Sequence, residues 1–492
     1  MAGQPYILAL DIGTSSTRAL LYDASGAAVP EVHAQLSYPL TTSHAGEASV
    51  DADFLVELVA RTIDEVLHKA GERTAHIVGV ATSAFWHTLV PLDTAECPLL
   101  PLMTWEDTRP QQAATALRAR LDEHAIHQRT GARLHTSYWP AKLAWLTSTQ
   151  PEIAQRTARY VSFSEYLHTR LLGRAVCSLS MASGTGLLNR HTHTWDTDLL
   201  ASLHLSPAQL PILGDLPDTL QGLTPEFAAR WPALKNVPWF PAIGDGAAAN
   251  IGSGCATLST WAVTMGTSSA MRVIVPEQVV LQQGLWLYAV DQRRTLLGSA
   301  LSEGGNMLAW LRQTLQLPNL PTLDEQLTRL QPTAHGLTIL PMLAGERGPG
   351  WHAHATMTIS GLTLHTTPAE IALAALEAVV FQLSRVYDQL TTALTDQIVH
   401  PRLIASGAAL LSSSILQHIL ADTLNRPLEL TEINEASARG AALLALETLG
   451  ILPDLAQIAP TTTIIVQPDP AKHAIYAEAR ERQQDLYEMM VL

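Results

Sequence analysis

The string Gly-Thr-Ser-Ser occurs twice, as Gly13-Thr14-Ser15-Ser16 and as Gly266-Thr267-Ser268-Ser269, and each copy stands between two short apolar runs. This pattern predicts strand, tight turn, strand in both places. Such a turn presents backbone N–H groups and small hydroxyls in a concave arrangement, which suits phosphate. Gly13, Thr14 and Ser15, with Gly266, Thr267 and Ser268, are the expected phosphate-binding residues. One copy in each half predicts two lobes gripping one phosphate chain. Asp11 ends the first predicted strand just before its turn, where a carboxylate can hold Mg²⁺ beside the phosphates it helps to neutralise. An aspartate there can equally cap its own hairpin, and the Gly-Thr-Ser that follows tips the reading towards the metal.

Gly244-Asp245-Gly246 follows a second strand-like run, at 239–243, and precedes small residues that can start a helix. Glycine on both sides lets substrate and phosphate approach the carboxylate. Asp245 could then take a proton from an attacking hydroxyl, a role worth about 10²–10⁴-fold in rate. On its own, Asp245 reads more readily as a helix N-cap. Ser406-Gly407-Ala408 ends another buried run ahead of a helix expected from Ser412, a geometry suited to a nucleotide lying against backbone at a helix N-terminus. Gly407, Ala408 and Ser412 are the expected contacts.

Other residues suit a polyhydroxylated ligand. Trp86 and His87 follow the buried run 76–81, Asp107 and Arg109 follow Trp105, and Tyr138 and Trp139 lead into a helix bearing Lys142 and Trp145. Eleven tryptophans against six phenylalanines, several beside polar groups, fit a sugar site better than a core alone. Core packing fits Trp145 and Trp310 better than Trp86 or Trp105. His191 with His193, and His352 with His354, lack a third ligand at a recognisable spacing, so neither pair reads as a metal site.

The elements that must position these groups alternate. Strands are expected at 6–10, 19–23 and 29–38, then a helix with Asp53 as N-cap and Leu55, Leu58, Val59, Ile63, Val66 and Leu67 at helical spacing. The second half repeats this order, with strands near 261–265, 271–275 and 285–290. Thr367-Pro-Ala-Glu370 has capping-box spacing and opens a helix to about 390. Strands at 403–405 and 428–431 alternate with helices at 412–424 and 436–449, as in parallel α/β units. Residues 196–241 read as an insertion or cap outside both sheets. The expected domains are 1–252 and 253–492.

Composition sets outer bounds. At 492 residues the chain is too long for one core. A formal charge of −15 argues against nucleic acid or an anionic membrane as the main partner. Three widely spaced cysteines form no disulfide framework, which points to a reducing compartment. The N-terminal apolar run ends at Asp11 with no basic segment before it, unlike a signal peptide. No uncharged apolar stretch reaches the roughly 20 residues of a membrane span. A cytoplasmic protein is expected.

Taken together, these segments resemble the FGGY family of carbohydrate kinases, from Leu10-Asp-Ile-Gly-Thr14 through Ala436-Ser-Ala-Arg-Gly440. The resemblance implies an α/β, two-domain actin-like ATPase (ribonuclease H-like) fold, each domain a mixed sheet flanked by helices. It implies ATP as phosphoryl donor, Asp245 as general base, and Asp11 with Asp245 at the Mg²⁺. The N-terminal domain would carry the sugar site and first phosphate turn, and the C-terminal domain the nucleotide. Residues 103–109, 135–142, 180–186 and 343–347 are most similar to gluconokinases, which implies phosphorylation of D-gluconate to 6-phospho-D-gluconate. A gluconate carboxylate would need a cation, from Arg109 or Lys142. Where the family has two consecutive glycines this chain has Gly407-Ala408, which bears on nucleotide affinity and preference. The alternatives are the same chemistry on xylulose, another pentulose or glycerol, or an actin-like assembly ATPase with no acceptor. The sequence leaves a homodimer open.

Overall fold

The computed structural model describes residues 4–276, 279–395, 397 and 400–492. The chain divides into two units. The first comprises Met1–Gly252, Leu287–Leu296 and Glu435–Ile458, and the second Ser253–Trp286, Leu297–Asn434 and Ala459–Leu492.

In the first unit, β1 (Tyr6–Ile12), β2 (Ser16–Asp23), β3 (Ala28–Ser37), β4 (Ile77–Ala84) and β5 (Ile243–Gly244) form a sheet in the order β5-β4-β1-β2-β3. β1 and β2 are an antiparallel hairpin, β4 runs parallel to β1, and β5 runs parallel to β4. Every residue of β1 after Tyr6 is buried. The reason is a helical layer on each face, because successive side chains of a strand point to opposite sides. Leu8, Leu10 and Ile12 share a core with Leu55, Val59 and Ile63 of the helix Ala52–Ala70. Ile7 and Ala9 instead pack with Ala438, Ala441, Ala442 and Ala445 of the helix Ala436–Thr448. Residues 435–458 therefore count with the first unit, since they supply its second apolar layer.

Two local expectations change. The helix Ala52–Ala70 is capped by Asp51, whose extended backbone lets its carboxylate accept the Phe54 N–H at 2.7 Å. Asp53 lies inside the first turn and accepts the Tyr166 hydroxyl at 2.6 Å. Residues 196–241 are not outside the sheet layer, because Phe227, Trp231 and Trp239 join the same core as Leu8 and Val80. Trp239 also bridges Val80 in parallel, in line with β5.

A seven-stranded sheet is built from β6 (Thr260–Met265), β7 (Ser269–Val275), β8 (Trp286–Ala289), β9 (Thr295–Leu301), β10 (Arg402–Ser406), β11 (Leu428–Leu430) and β12 (Ile464–Val466). Their order is β8-β9-β7-β6-β10-β11-β12. β6 pairs antiparallel with β7 and parallel with β10, as β1 does with β2 and β4. The capping box of Thr367 and Glu370 starts the helix Pro368–Ala393, with Thr367 Oγ1 accepting the Glu370 N–H and Glu370 accepting the Thr367 N–H. The helix expected from Ser412 is two pieces, Ala408–Leu411 and Ser414–Leu424, the second capped by Ser413. Among the described residues, no helix is long and apolar enough to cross a membrane.

Candidate active site

Strand register in the first unit brings two carboxylates to one end of the sheet. Asp11 on β1 is level with Ser83 on β4, and Ser83 is level with Ile243 on β5. Asp11 and Asp245 thus lie at the C-terminal ends of two parallel strands on either side of β4. On β2, Arg18 pairs in register with Asp11 and places Nη1 3.4 Å from its carboxylate and 3.2 Å from that of Glu435. The Asp11 carboxyl is pushed up to about 6, chiefly by burial, with Arg18 opposing and the negative charges of Asp245 and Glu435 adding to the rise. Asp245 begins the helix Asp245–Gly252 and accepts the Gly246 N–H at 2.7 Å.

The first turn is pinned from behind. Gly13 donates its N–H to the Ser16 carbonyl at 3.0 Å, and the Gly13 carbonyl accepts the Tyr38 hydroxyl at 2.5 Å. Trp105 donates its indole N–H to Thr14 Oγ1 at 2.9 Å. Ser15 stays exposed. Replacing Trp105 by phenylalanine keeps the ring but removes this donor. We expect the half-saturating concentration of a phosphate-bearing ligand to rise about threefold to tenfold in that variant, read by titration. An unchanged value would show that Thr14 needs no such support.

In the second unit the equivalent string closes differently, with the Gly266 N–H donating to the Ser268 carbonyl at 3.0 Å. Gly305 donates to the Gly266 carbonyl at 2.6 Å and Asn306 to the Thr267 carbonyl at 3.1 Å. These donors open the helix Gly305–Thr314. A Cβ on Gly304 would come within 2.7 Å of the Ser268 backbone, so only glycine allows this approach. Gly407, at φ 100°, abuts the Met265 carbonyl and the Gly266 N–H. Ala408 starts the short helix Ala408–Leu411 and is exposed, so its methyl needs no unusual backbone. Ser412 follows that helix and donates to the Ala409 carbonyl at 3.3 Å, so it does not start the helix expected from it.

The aromatic and polar residues gather in the first unit, beside the carboxylates. A Cβ on Gly244 would overlap the Trp86 indole, so Trp86 lies directly against the residue before Asp245. Its indole N–H donates to the Ser180 carbonyl at 3.0 Å. His87 has φ 69°, the left-handed region that few residues other than glycine adopt, and its Nδ1 meets the Gly184 carbonyl. Tyr138 stands edge-on to His87 with ring centres 4.9 Å apart and shares a hydroxyl–hydroxyl hydrogen bond with Tyr288. Tyr288 is in turn edge-on to Trp86 at 5.0 Å. Asp107 is fully buried and accepts Arg109 Nε at 3.0 Å and Nη2 at 2.5 Å. The Arg109 guanidinium also lies over the Trp145 ring at 4.8 Å.

Family models for the FGGY family of carbohydrate kinases match this chain over residues 6–252, as the N-terminal domain, and residues 261–448, as the C-terminal domain. The chain belongs to the FGGY family of carbohydrate kinases. It is 28% identical to a gluconokinase of Bacillus subtilis (strain 168), covering 90% of this chain and 88% of that one. Two solved structures from Lactobacillus acidophilus, a gluconate kinase and a ligand-bound xylulose kinase, each superpose with a TM-score of 0.91 at 26% identity over 99% of this chain. They cover 99% and 98% of those chains, respectively. The fold is the two-domain, mixed α/β actin-like ATPase fold of such sugar kinases.

Several residues of this FGGY kinase stand otherwise than expected. Trp139 is a wall residue, 1% exposed, donating its indole N–H to the Thr88 carbonyl at 2.9 Å. Lys142 is wholly buried, and its ammonium donates to the carbonyls of His87 at 2.6 Å and Thr104 at 2.8 Å. Trp310 is not core but 39% exposed, while Trp86 is 6% exposed. Tyr288 had no signal of its own, since the run around it reads only as a strand. The pair Gly304-Gly305 did carry one, two glycines between a strand and a helix. Among the described residues, no group of three or more His, Cys, Asp or Glu side chains is placed to hold a metal ion.

Burial of Asp11 carries a stability consequence. The folded carboxyl gains its proton at about 6 and the unfolded one at 3.8. Its contribution to stability is therefore present below the lower value and is lost as pH rises through the upper one. Above it, the buried anion costs about 1–3 kcal/mol. Asp11→Asn is expected to raise the melting temperature of the ligand-free kinase at pH 8 while removing activity. A lower melting temperature at that pH would contradict the electrostatic account.

Proposed function

We propose that this kinase transfers the γ-phosphoryl group of ATP to the terminal hydroxyl of D-gluconate, yielding 6-phospho-D-gluconate and ADP. The observation that carries the reading is the carboxylate pair Asp11 and Asp245 beside the basket of Trp86, His87 and Tyr138. In the proposed step the acceptor hydroxyl loses its proton to Asp245, its oxygen bonds to phosphorus, and the bond to the ADP oxygen breaks in line. Two oxygen-donor carboxylates, one of them pushed up chiefly by burial and further by the other's charge, fit a hard cation, and Asp11 and Asp245 would hold Mg²⁺. When bound, it neutralises phosphate charge. The N–H groups of the two Gly-Thr-Ser turns, with Thr14 and Thr267, are proposed to stabilise the equatorial oxygens, while Gly407 and Ala408 lie along the nucleotide. The protein works from the cytoplasm in this reading.

Gluconate as acceptor is supported by the likeness to gluconate kinases and by the guanidinium of Arg109, which lies between Asp107 and the Trp145 ring. A second reading, a neutral pentulose such as xylulose, is favoured by one observation: Asp107 already neutralises that guanidinium and Glu47 stands 3.6 Å from Nη1. ADP release measured across gluconate, xylulose, ribulose and glycerol separates them. ADP release that needs no acceptor would favour an assembly ATPase and end the kinase proposal for this site. Arg109→Ala is expected to lower kcat/KM for gluconate at least about tenfold more than for a neutral polyol. Equal losses on both would remove the carboxylate argument.

A further inference from the structure

Lys142 sits in the first turn of the helix Trp139–Thr149, directly after Tyr138 and Trp139. Its side chain is 0% exposed, and its three donors face two carbonyls from separate loops, those of His87 and Thr104. The first loop carries the His87 imidazole in a left-handed backbone conformation. The second leads through a Thr104 carbonyl that also accepts the Asp107 N–H at 3.3 Å. The same helix turn holds Thr88 through Trp139. A buried ammonium is costly unless hydrogen-bonded, so this residue exists here for what it holds.

We propose that Lys142 is a positioning residue for the acceptor: its ammonium ties the loop of His87 to the loop of Asp107 and so fixes the spacing of two sugar-contacting groups. The inference rests on the kinase reading above. It runs against the other use of Lys142, as a direct partner of a substrate carboxylate, because the residue is wholly buried and two of its three donors are already directed at backbone. Burial brings the Lys142 ammonium down to about 7, with Asp107 opposing the fall and Arg109 adding to it. The charges that act on it are those of Asp107 and Arg109. Loss of the proton removes the charge and one donor, so the tie weakens as pH rises through that value.

The test compares the full-length kinase with Lys142→Met, an unbranched replacement without donors, and with Lys142→Gln, a shorter one that still donates. The acceptor KM is expected to rise about tenfold or more in Lys142→Met and less in Lys142→Gln, with the KM for ATP unchanged and kcat altered far less. In the wild type the acceptor KM should climb as pH rises through about 7, and this climb should be missing in the variants. Should Lys142→Met fail to fold, Lys142→Gln carries the same comparison. A wild-type acceptor KM in the variants, equal losses for ATP and acceptor, or a pH step that persists without Lys142 would each overturn the proposal. Wild-type kinase that releases no acceptor-dependent ADP would instead overturn the kinase reading itself, and the positioning role with it.

Discussion

Asp245→Asn is expected to fold as the wild type does, to bind ATP, and to turn over at least about 100-fold more slowly. The amide keeps the shape and the acceptor oxygen towards Gly246 but cannot take up a proton. Its neighbourhood is set by backbone rather than by the charge: Asp245 begins a helix behind β5, and Ser437 Oγ donates to its carbonyl oxygen at 3.4 Å. The fold should therefore not notice the change. The loss should fall on kcat, with the KM for ATP little altered, since a base acts only in the transition state. Removing the anion also relieves Asp11, whose carboxyl should then titrate lower. Stopped-time ADP release and a thermal melt suffice as measurements. Turnover near the wild-type rate would rule out the base assignment.

The second large effect concerns folding. The helices Asp245–Gly252 and Ala436–Thr448 touch backbone to backbone at two glycines. A Cβ at Gly440 would overlap the Ala248 carbonyl, and one at Gly252 would overlap that of Ala436. Gly440→Ala improves helix propensity by about 1 kcal/mol. Against that stands an overlap with main chain, which no rotamer change relieves, at a cost of about 3 kcal/mol. The clash wins, and the variant should melt lower than the wild type. Because the displaced helix begins at Asp245, activity should fall in the surviving folded fraction as well. A melting temperature at or above the wild-type value would mean that the helices are not in this contact.

Local patterns were readable where a few neighbouring residues dictate the outcome. Both Gly-Thr-Ser-Ser strings form hairpin turns because glycine and small hydroxylated residues between two apolar runs leave the chain few alternatives. The Thr367 capping box starts its helix where the spacing says, since both of its hydrogen bonds lie within four residues. Asp51 and Asp53 show the limit of such reasoning. Either aspartate can cap, and the choice fell to the one with extended backbone, while Tyr166 and Arg170 took the other. Ser412 failed for a related reason: Gly407 turns the chain one residue before a short helix that the apolar pattern does not separate from the next.

The sequence by itself determined the order of strands and turns, the carboxylates at strand ends and the family to which the chain belongs, because each is written in residues close together. Only the tertiary structure decided that Arg18 reaches Glu435, that Tyr288 meets Tyr138, and that the Lys142 ammonium meets the carbonyls of His87 and Thr104. These contacts join residues tens to hundreds of positions apart. Strand register and helix packing choose such partners, and neither is encoded in any one stretch of chain.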